Sequence, residues 1–288
     1  MRHLLTIESA FPQEDSILRF LEPPGSCRRS IWTRLVEGTY DKPFILDSGM
    51  RRFLHFDLDA VQSAMDMRDP VRLTLAYTRR MMAFLLFNRA PARVLLLGLG
   101  GGSLAKFCYH RLPRTAVTTV ELNADVIALR DAFRVPANDA RFRVIHADGA
   151  NYVAQLSPCK DVILADACDR VGIAPELDTI DFYGNIRRCL TSEGIFVANV
   201  CGDRYSKSAH LMKIRRVFGD EIVTLPVRPD GNVIVLAFRQ RCPEIHIEQL
   251  ADCAADLQRQ FGLNLPRYVQ RIALDLQLRS WERSLPQL

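Results

Sequence analysis

Val94-Leu-Leu-Leu-Gly98-Leu-Gly100-Gly101-Gly102 is the stretch that decides the fold, because an apolar run typical of a buried strand ends here in a glycine-rich turn. A second apolar run ends in Thr119-Val-Glu121, which places a carboxylate 23 positions after Gly98. Glycines let the backbone approach a ligand closely, and an acidic residue at this spacing can accept hydrogen bonds from both hydroxyls of a ribose. The pair predicts a nucleotide-binding α/β domain.

From Val94 onward, strand patterns alternate with helix patterns, which indicates parallel strands buried on both faces of a sheet. Ligands of such sheets bind beyond the carboxyl ends of the strands. Because Glu121, Asp148 and Asp166 each follow a predicted strand, we expect three carboxylates at one rim of a Rossmann-like, doubly wound, mostly parallel sheet. The predicted strands span residues 93–97, 116–121, 142–145, 161–165 and 195–200, and the predicted helices span residues 103–111, 124–133 (N-cap Asn123) and 178–190.

The flanking segments differ from this alternating region. Short strand patterns at residues 44–49 and 51–57 predict a small antiparallel unit, and a helix is expected over residues 72–88. Beyond residue 240, amphipathic patterns predict helices over residues 247–261 and 266–279, joined at Gly262. The expected domains are therefore a small N-terminal β-rich domain (1–75), a Rossmann-like transferase domain (76–240) and a C-terminal helical extension (241–288).

Composition excludes several classes of protein. An apolar share of 48% and a net charge of +5, without a long basic run, are typical of a soluble protein that does not bind nucleic acid. The apolar run at residues 81–87 is too short to span a membrane, and the N-terminus does not resemble a signal peptide. The eight cysteines form no C-x-x-C pair, so we expect reduced thiols, no metal site and a cytoplasmic location.

The chain resembles the spermidine synthase (polyamine aminopropyltransferase) family, a branch of the class I methyltransferase-like fold, over roughly residues 40–240. The most specific match is Asp161-Val-Ile-Leu-Ala-Asp166-Ala-Cys-Asp169-Arg-Val-Gly172, followed by Asp181-Phe-Tyr183. Val61-Gln62-Ser63-Ala64 is similar to the family's strand that places a glutamine over the nucleotide. Tyr77 occupies the position of the tyrosine in the helix before the first Rossmann strand.

The resemblance implies a role for each matching residue. Glu121 would hold the ribose and Asp148 the adenine amino group. Asp166 would be the base that deprotonates the attacking amine, with Tyr77 assisting and Asp169 steering the cationic acceptor. The implied donor is S-adenosylmethionine or its decarboxylated form, the implied acceptor is putrescine or another polyamine, and a homodimer is expected. The remaining implied contacts are Tyr183 for the acceptor and Gln62, Gly98, Gly100, Gly101, Gly102, Leu122 and Gly149 for the nucleotide.

Three departures from the family leave alternatives open. Gly101 replaces an aspartate that binds the donor's amine, Tyr77-Thr78-Arg79 replaces Tyr-His-Glu, and Pro229-Asp-Gly-Asn232-Val lacks the family's tryptophan. A site that loses a carboxylate and gains the Arg79 guanidinium could accept intact S-adenosylmethionine. The alternatives to aminopropyl transfer are therefore a methyltransferase and a non-catalytic nucleotide-binding protein that retains the fold.

Overall fold

The computed structural model describes residues 4–8, 16–167, 173–228, 231–240 and 246–284. These residues form two sheets, one of five strands and one of seven. None of the helices in these ranges combines the length and the apolar character that crossing a bilayer would require.

The N-terminal sheet is antiparallel and its five strands are in chain order. Gly49 (φ +54°) makes the turn between the third and fourth strands, a backbone conformation that favours glycine. Leu18, Phe20 and Phe44 project from the sheet into a core that one helix covers with Ile31 and Leu35. The strands are β1 Leu5–Glu8, β2 Ile17–Phe20, β3 Phe44–Ser48, β4 Arg51–His55 and β5 Val61–Asp66, and the helix is α1 Arg28–Val36.

The second sheet carries the glycine-rich turn. Its strands are β6 Arg93–Leu97, β7 Ala116–Glu121, β8 Phe142–His146, β9 Lys160–Ala165, β10 Leu190–Val200, β11 Ile222–Pro226 and β12 Val233–Phe238. The helices from here to the C-terminus are α2 Ala76–Met81, α3 Ser103–Arg111, α4 Ala124–Ala128, α5 Gly149–Ala154, α6 Ile180–Cys189, α7 Arg204–Phe218, α8 Ile247–Phe261 and α9 Val269–Ser284.

The order of the seven strands is β11-β12-β10-β9-β6-β7-β8. Strands β6 to β10 pair in parallel, whereas β12 and β11 are antiparallel to their neighbours. Residues 94–97 are at most 2% exposed, and alternate side chains enter the cores on opposite faces. The predicted α/β fold with a mostly parallel sheet is therefore confirmed.

The helix predicted over residues 72–88 is shorter and divided. It begins at Ala76 as α2 and continues as a 3-10 helix over Met82–Leu86. Its late start has a local cause, because Arg79 donates to the carbonyl oxygens of Leu73 (2.7 Å) and Thr74 (2.8 Å). Those carbonyls therefore need no helical amide partner.

Two other helices differ from their predicted bounds by more than two residues at one end or both. The helix at residues 124–133 ends at Ala128 and is followed by turns, with Arg134 at a φ of +54°. Its predicted cap is confirmed, since Asn123 Oδ1 accepts from the amide of Asp125 at 2.8 Å. The last helix begins at Val269, after a 3-10 turn over Leu265–Tyr268. Another 3-10 turn over Pro175–Leu177 precedes α6.

Lys106 is completely buried beneath the N-terminal sheet. Its amine donates to the carbonyl oxygen of Phe133 at 2.7 Å and contacts Met65 Sδ at 3.2 Å. Burial, with a smaller effect from the positive charge of Arg134, lowers the pKa of Lys106 to about 7. The unfolded chain therefore binds more protons than the folded chain between pH 7 and 10.5, and folding stability contributed by this group rises with pH across that window.

Lys106→Met should remove this slope. The free energy of unfolding of the wild type should rise relative to that of the variant by up to about 5 kcal/mol from pH 7 to 10.5. Below pH 7, the full destabilisation caused by burying the Lys106 amine should be present in the wild type. Urea denaturation over this range measures the difference. Lys160→Met, at the half-buried start of β9, is the control. Parallel stability curves for wild type and Lys106→Met would contradict the prediction.

Candidate active site

A cavity of about 540 Å³ opens beyond the carboxyl ends of the parallel strands. This volume is typical of small-molecule sites, which span about 300–1,000 Å³. The cavity lies where β6 separates β7 from β9, the point at which the strand order reverses and where such sheets bind ligands. The predicted site residues that line it are Gln62, Tyr77, Gly98, Gly100, Glu121, Leu122, Asp148, Gly149 and Asp166.

Gly98 brings the turn after β6 into direct contact with the end of β9. Its φ is +97°, and a Cβ atom there would lie 2.2 Å from the main-chain oxygen of Asp166. The backbone on the other side is also fixed, because the Gly98 amide donates to the Val120 carbonyl at 2.8 Å. The position therefore requires glycine for both conformation and space.

Gly101 and Gly102 are not among the residues that line the cavity, in contrast to the expectation that both contact the nucleotide. A Cβ atom on Gly101 would lie 2.7 Å from Ser63 Oγ and 2.9 Å from Phe133 Cδ1, and one on Gly102 would lie 2.4 Å from Val135 Cγ2. These glycines allow the turn to pack against β5 and the segment after α4. An aspartate at position 101 would be crowded by the side chains of Ser63 and Phe133.

Backbone amides hold the carboxylate of Glu121 at the end of β7. One oxygen accepts from the amide of Leu99 and the other from the amide of Asn123, both at 2.8 Å. Each carboxylate oxygen keeps a further lone pair that can accept from a ligand hydroxyl. The Leu99 contact also links Glu121 to the glycine-rich turn, so the two halves of the predicted nucleotide site are one hydrogen-bonded unit.

Asp148 caps the helix that follows β8. Its Oδ1 accepts from the amide of Asn151 at 2.7 Å, and Gly149 is the first residue of α5. Because Asp148 also lines the cavity, the structural role of this side chain and a ligand contact are compatible.

Asp166 stands at the end of β9 and accepts two side-chain hydrogen bonds. Asn199 Nδ2 donates to Asp166 Oδ1 at 2.9 Å, and the hydroxyl of Tyr77 donates to the same carboxylate. Burial raises the pKa of Asp166, and the two donated hydrogen bonds oppose that effect. A half-buried carboxylate with a raised pKa beside a cavity is suited to accept a proton.

Asn199 and Asn232 are site residues that the sequence interpretation missed. Asn232 Nδ2 donates to Asn199 Oδ1 at 3.0 Å, so the two amides and Asp166 form one chain of hydrogen bonds. Both asparagines line the cavity. Asn199 lies near the carboxyl end of β10, a strand predicted over residues 195–200 that in fact begins earlier, at Leu190. A polar residue at the carboxyl end of a predicted strand is a signal that could have identified it.

Three other expected residues do not join the described site. Tyr183 is 2% exposed and lies within 3.4 Å of Asp178 Oδ1 and His210 Nδ1, away from the cavity lining, because its side chain faces α7. The guanidinium of Arg79 binds main-chain carbonyls and does not line the cavity. Asp169 lies outside the described residues.

The cavity has an acidic lining. Four carboxylates contribute to it, from Glu121, Asp148, Asp166 and Glu176, whereas no lysine, arginine or histidine of the described ranges does so. Such a site favours a cationic ligand. No group of three or more His, Cys, Asp or Glu side chains in those same ranges could hold a metal ion.

Cys201, directly after β10, is disulfide-bonded. The expectation of reduced thiols throughout is therefore wrong at this position. The other described cysteines, at 27, 108, 159, 189 and 253, are free thiols.

Comparison with known families and proteins gives a consistent match. The family model described as "Spermine/spermidine synthase domain" matches residues 74–258. The chain is 37% identical over 229 residues to a polyamine aminopropyltransferase of Chromobacterium violaceum, an alignment that covers 79% of this chain and 88% of that protein.

Two solved structures have similar folds. A probable spermidine synthase from Corynebacterium glutamicum aligns with a TM-score of 0.62 and 19% identity over 88% of this chain and 87% of that one, which supports the fold alone. Human methyltransferase-like protein 13, in complex with SAH, aligns with a TM-score of 0.57 and 26% identity over 65% of this chain and 93% of that one.

Proposed function

The chain belongs to the spermine/spermidine synthase family of transferases, and we propose that it moves the aminopropyl group of decarboxylated S-adenosylmethionine to an amine. The observation that carries this proposal is the acidic lining of the cavity. The donor has a cationic sulfonium and a cationic ammonium, and the acceptor is a cation in water, so every charged group of the two reactants is positive. Charge complementarity then favours both reactants.

The same lining argues for the decarboxylated donor. Intact S-adenosylmethionine has a carboxylate, and the described lining offers that group no lysine, arginine or histidine. The Arg79 guanidinium, which could have accepted intact S-adenosylmethionine, is engaged with the carbonyls of Leu73 and Thr74. A carboxylate placed among acidic side chains without a cation would be unfavourable.

We propose that the nucleoside half of the donor lies along the ends of β6, β7 and β8. The free lone pairs of Glu121 would accept from the ribose hydroxyls, and Asp148 would accept from the adenine amino group. Leu122, which is 64% exposed beside the cavity, would contact the adenine ring, and Gln62 would cover the nucleotide from β5. The backbone at Gly98 and Gly100 would allow close approach.

The transfer step needs one base and correct alignment. The neutral amine nitrogen forms a bond to the propyl carbon attached to sulfur, and the carbon–sulfur bond breaks with its electron pair going to sulfur. Methylthioadenosine is released, and the amine proton passes to Asp166, which Tyr77 and Asn199 hold in place. Holding both reactants in line supplies much of the remaining acceleration.

The acceptor is proposed to be putrescine or another polyamine. Glu176 lines the cavity from the 3-10 turn before α6 and would attract a second ammonium group of the acceptor. We also propose a homodimer that associates through the N-terminal sheet; sedimentation analysis of the protein tests this assembly.

Methyl transfer from S-adenosylmethionine is the second candidate. Two observations favour it: the similarity to a methyltransferase structure in complex with SAH, and the glycine at position 101 in place of an aspartate. A non-catalytic nucleotide-binding protein would retain the cavity and turn over neither donor.

Product analysis distinguishes these functions. The protein is incubated with each donor and with putrescine, and the nucleotide product is identified by mass spectrometry. Decarboxylated S-adenosylmethionine should yield methylthioadenosine and an aminopropylated amine, while intact S-adenosylmethionine should be consumed at least about 100-fold more slowly, since a buried unpaired charge costs several kcal/mol. S-adenosylhomocysteine as the main product would establish methyl transfer instead, and consumption of neither donor would refute both enzymatic functions.

A further inference from the structure

The chain of hydrogen bonds behind Asp166 has a defined direction. An ionised carboxylate only accepts hydrogen bonds, whereas a primary amide has a donor side and an acceptor side. The donor side of Asn232 faces the acceptor side of Asn199 at 3.0 Å, and the donor side of Asn199 faces Asp166 at 2.9 Å. The orientation of one amide therefore determines that of the next.

We propose that Asn232 is a positioning residue, which, through Asn199, keeps an amide donor directed at Asp166 and so holds this carboxylate in the ionised form that accepts the amine proton. This inference rests on the proposed role of Asp166 as the base. In this inference, Asn232 acts only through Asn199 and need not touch either reactant.

The alternative orientation of Asn199 shows why Asn232 matters. If the Asn199 amide rotated by 180°, its carbonyl oxygen would face Asp166 and would favour a protonated carboxyl that donates. Its NH₂ group would then face the NH₂ group of Asn232 with no acceptor between them. Asn199 is only 4% exposed, so water offers little compensation for that unfavourable contact.

A second contact fixes the backbone next to Asn232, the residue that starts the chain of hydrogen bonds. Lys207, on α7, donates to the main-chain oxygen of Gly231 at 2.6 Å, directly before Asn232. Asn232 then precedes β12, which pairs with β10 in a register that places Val233 opposite Val200. The loop position of Asn232 is thus set from both sides, next to the strand that carries Asn199.

Few titratable groups of the described residues lie close enough to Asp166 to influence its pKa. Tyr77, from α2, is the titratable side chain of the described residues that hydrogen-bonds to it. Glu121 from β7, Asp148 from the end of β8 and Glu176 from the turn before α6 line the same cavity without such a bond, and Lys207 faces Gly231. None of these groups changes when Asn232 is replaced by an uncharged residue.

The test is a titration of the Asp166 carboxyl by carbon-13 NMR in full-length protein labelled at its aspartate carboxyls, with Asp166→Asn used to assign the signal. Asn232→Leu, and Asn232→Ala as a smaller substitution, should each raise the pKa of Asp166 by about one unit, because the ionised form loses its directed donor. Asn232→Gln retains an amide donor, so the pKa of Asp166 in this variant should rise by no more than half as much as in Asn232→Leu. The acid limb of kcat should move to higher pH by the same amount.

Gln62→Leu is the matched control, because it removes an amide from the same cavity without breaking the chain. It should leave the Asp166 titration unchanged. A wild-type midpoint in both Asn232→Leu and Asn232→Ala, or an equal shift in Gln62→Leu, would overturn the inference. Because the titration needs no substrate, it still decides the inference if the wild type transfers no aminopropyl group, an outcome that refutes only the proposed function.

Discussion

Asp166→Asn should lower kcat for aminopropyl transfer by about 10²- to 10⁴-fold, the usual contribution of a general base. The amide oxygen can still accept from Asn199, so that hydrogen bond survives while the proton acceptor is lost. Steady-state kinetics with saturating donor and amine measure the effect. The KM for the donor should change little, because the nucleoside contacts lie on other strands.

Stability provides the control for Asp166→Asn. Burial raises the pKa of Asp166, so the ionised group destabilises the folded state at pH values above that raised pKa. The variant should therefore unfold at the same temperature as the wild type or higher at pH 7 to 8. In the wild type, activity should fall as the pH is lowered through the raised pKa. Full turnover by a folded Asp166→Asn variant would remove Asp166 from the catalytic role.

Gly98→Ala should have the largest effect on folding and on donor binding together. The new Cβ atom would lie 2.2 Å from the main-chain oxygen of Asp166, and the φ of +97° is unfavourable for alanine. Overpacking and backbone strain each cost about 1–3 kcal/mol, so a loss of about 3–5 kcal/mol in the free energy of unfolding is expected. Denaturant titration measures the loss, and calorimetric titration measures the weakened binding of donor.

Gly100→Ala separates steric conflict from conformational strain. Gly100 also has a positive φ, +50°, but the nearest atom to a new Cβ would be Ser63 Cβ at 3.8 Å. We expect a cost of only about 1–2 kcal/mol, from the left-handed conformation alone. Equal losses in the free energy of unfolding for Gly98→Ala and Gly100→Ala would show that the close approach of the turn to β9 is not what requires glycine at position 98.

The parts of the fold that follow local rules could be predicted from the sequence. Strands β6 and β7 and helix α3 have the expected bounds, because long apolar runs end at glycine or at a carboxylate. The ends of β6 and β7 contact the same cavity, which also follows from a general property of parallel sheets, because the carboxyl ends of their strands share one edge. Gly98 and Glu121 could thus be placed together without a structure.

Other features depend on contacts between distant segments. The pairing of Asn199 with Asn232 requires the antiparallel register of β10 and β12, which no local pattern encodes. Tyr183 has the residue type that the family resemblance favours, yet α7 covers it with His210. The short α2 reflects hydrogen bonds from Arg79 to main-chain carbonyls, a choice that helical periodicity does not reveal.

A crystal structure of the protein with methylthioadenosine and putrescine tests the central claim most directly. The ribose hydroxyls should lie within hydrogen-bonding distance of Glu121, and an amine nitrogen should lie between the nucleotide sulfur and the Asp166 carboxylate. Density for both molecules elsewhere on the protein, or an empty cavity at millimolar concentrations of each, would contradict the account.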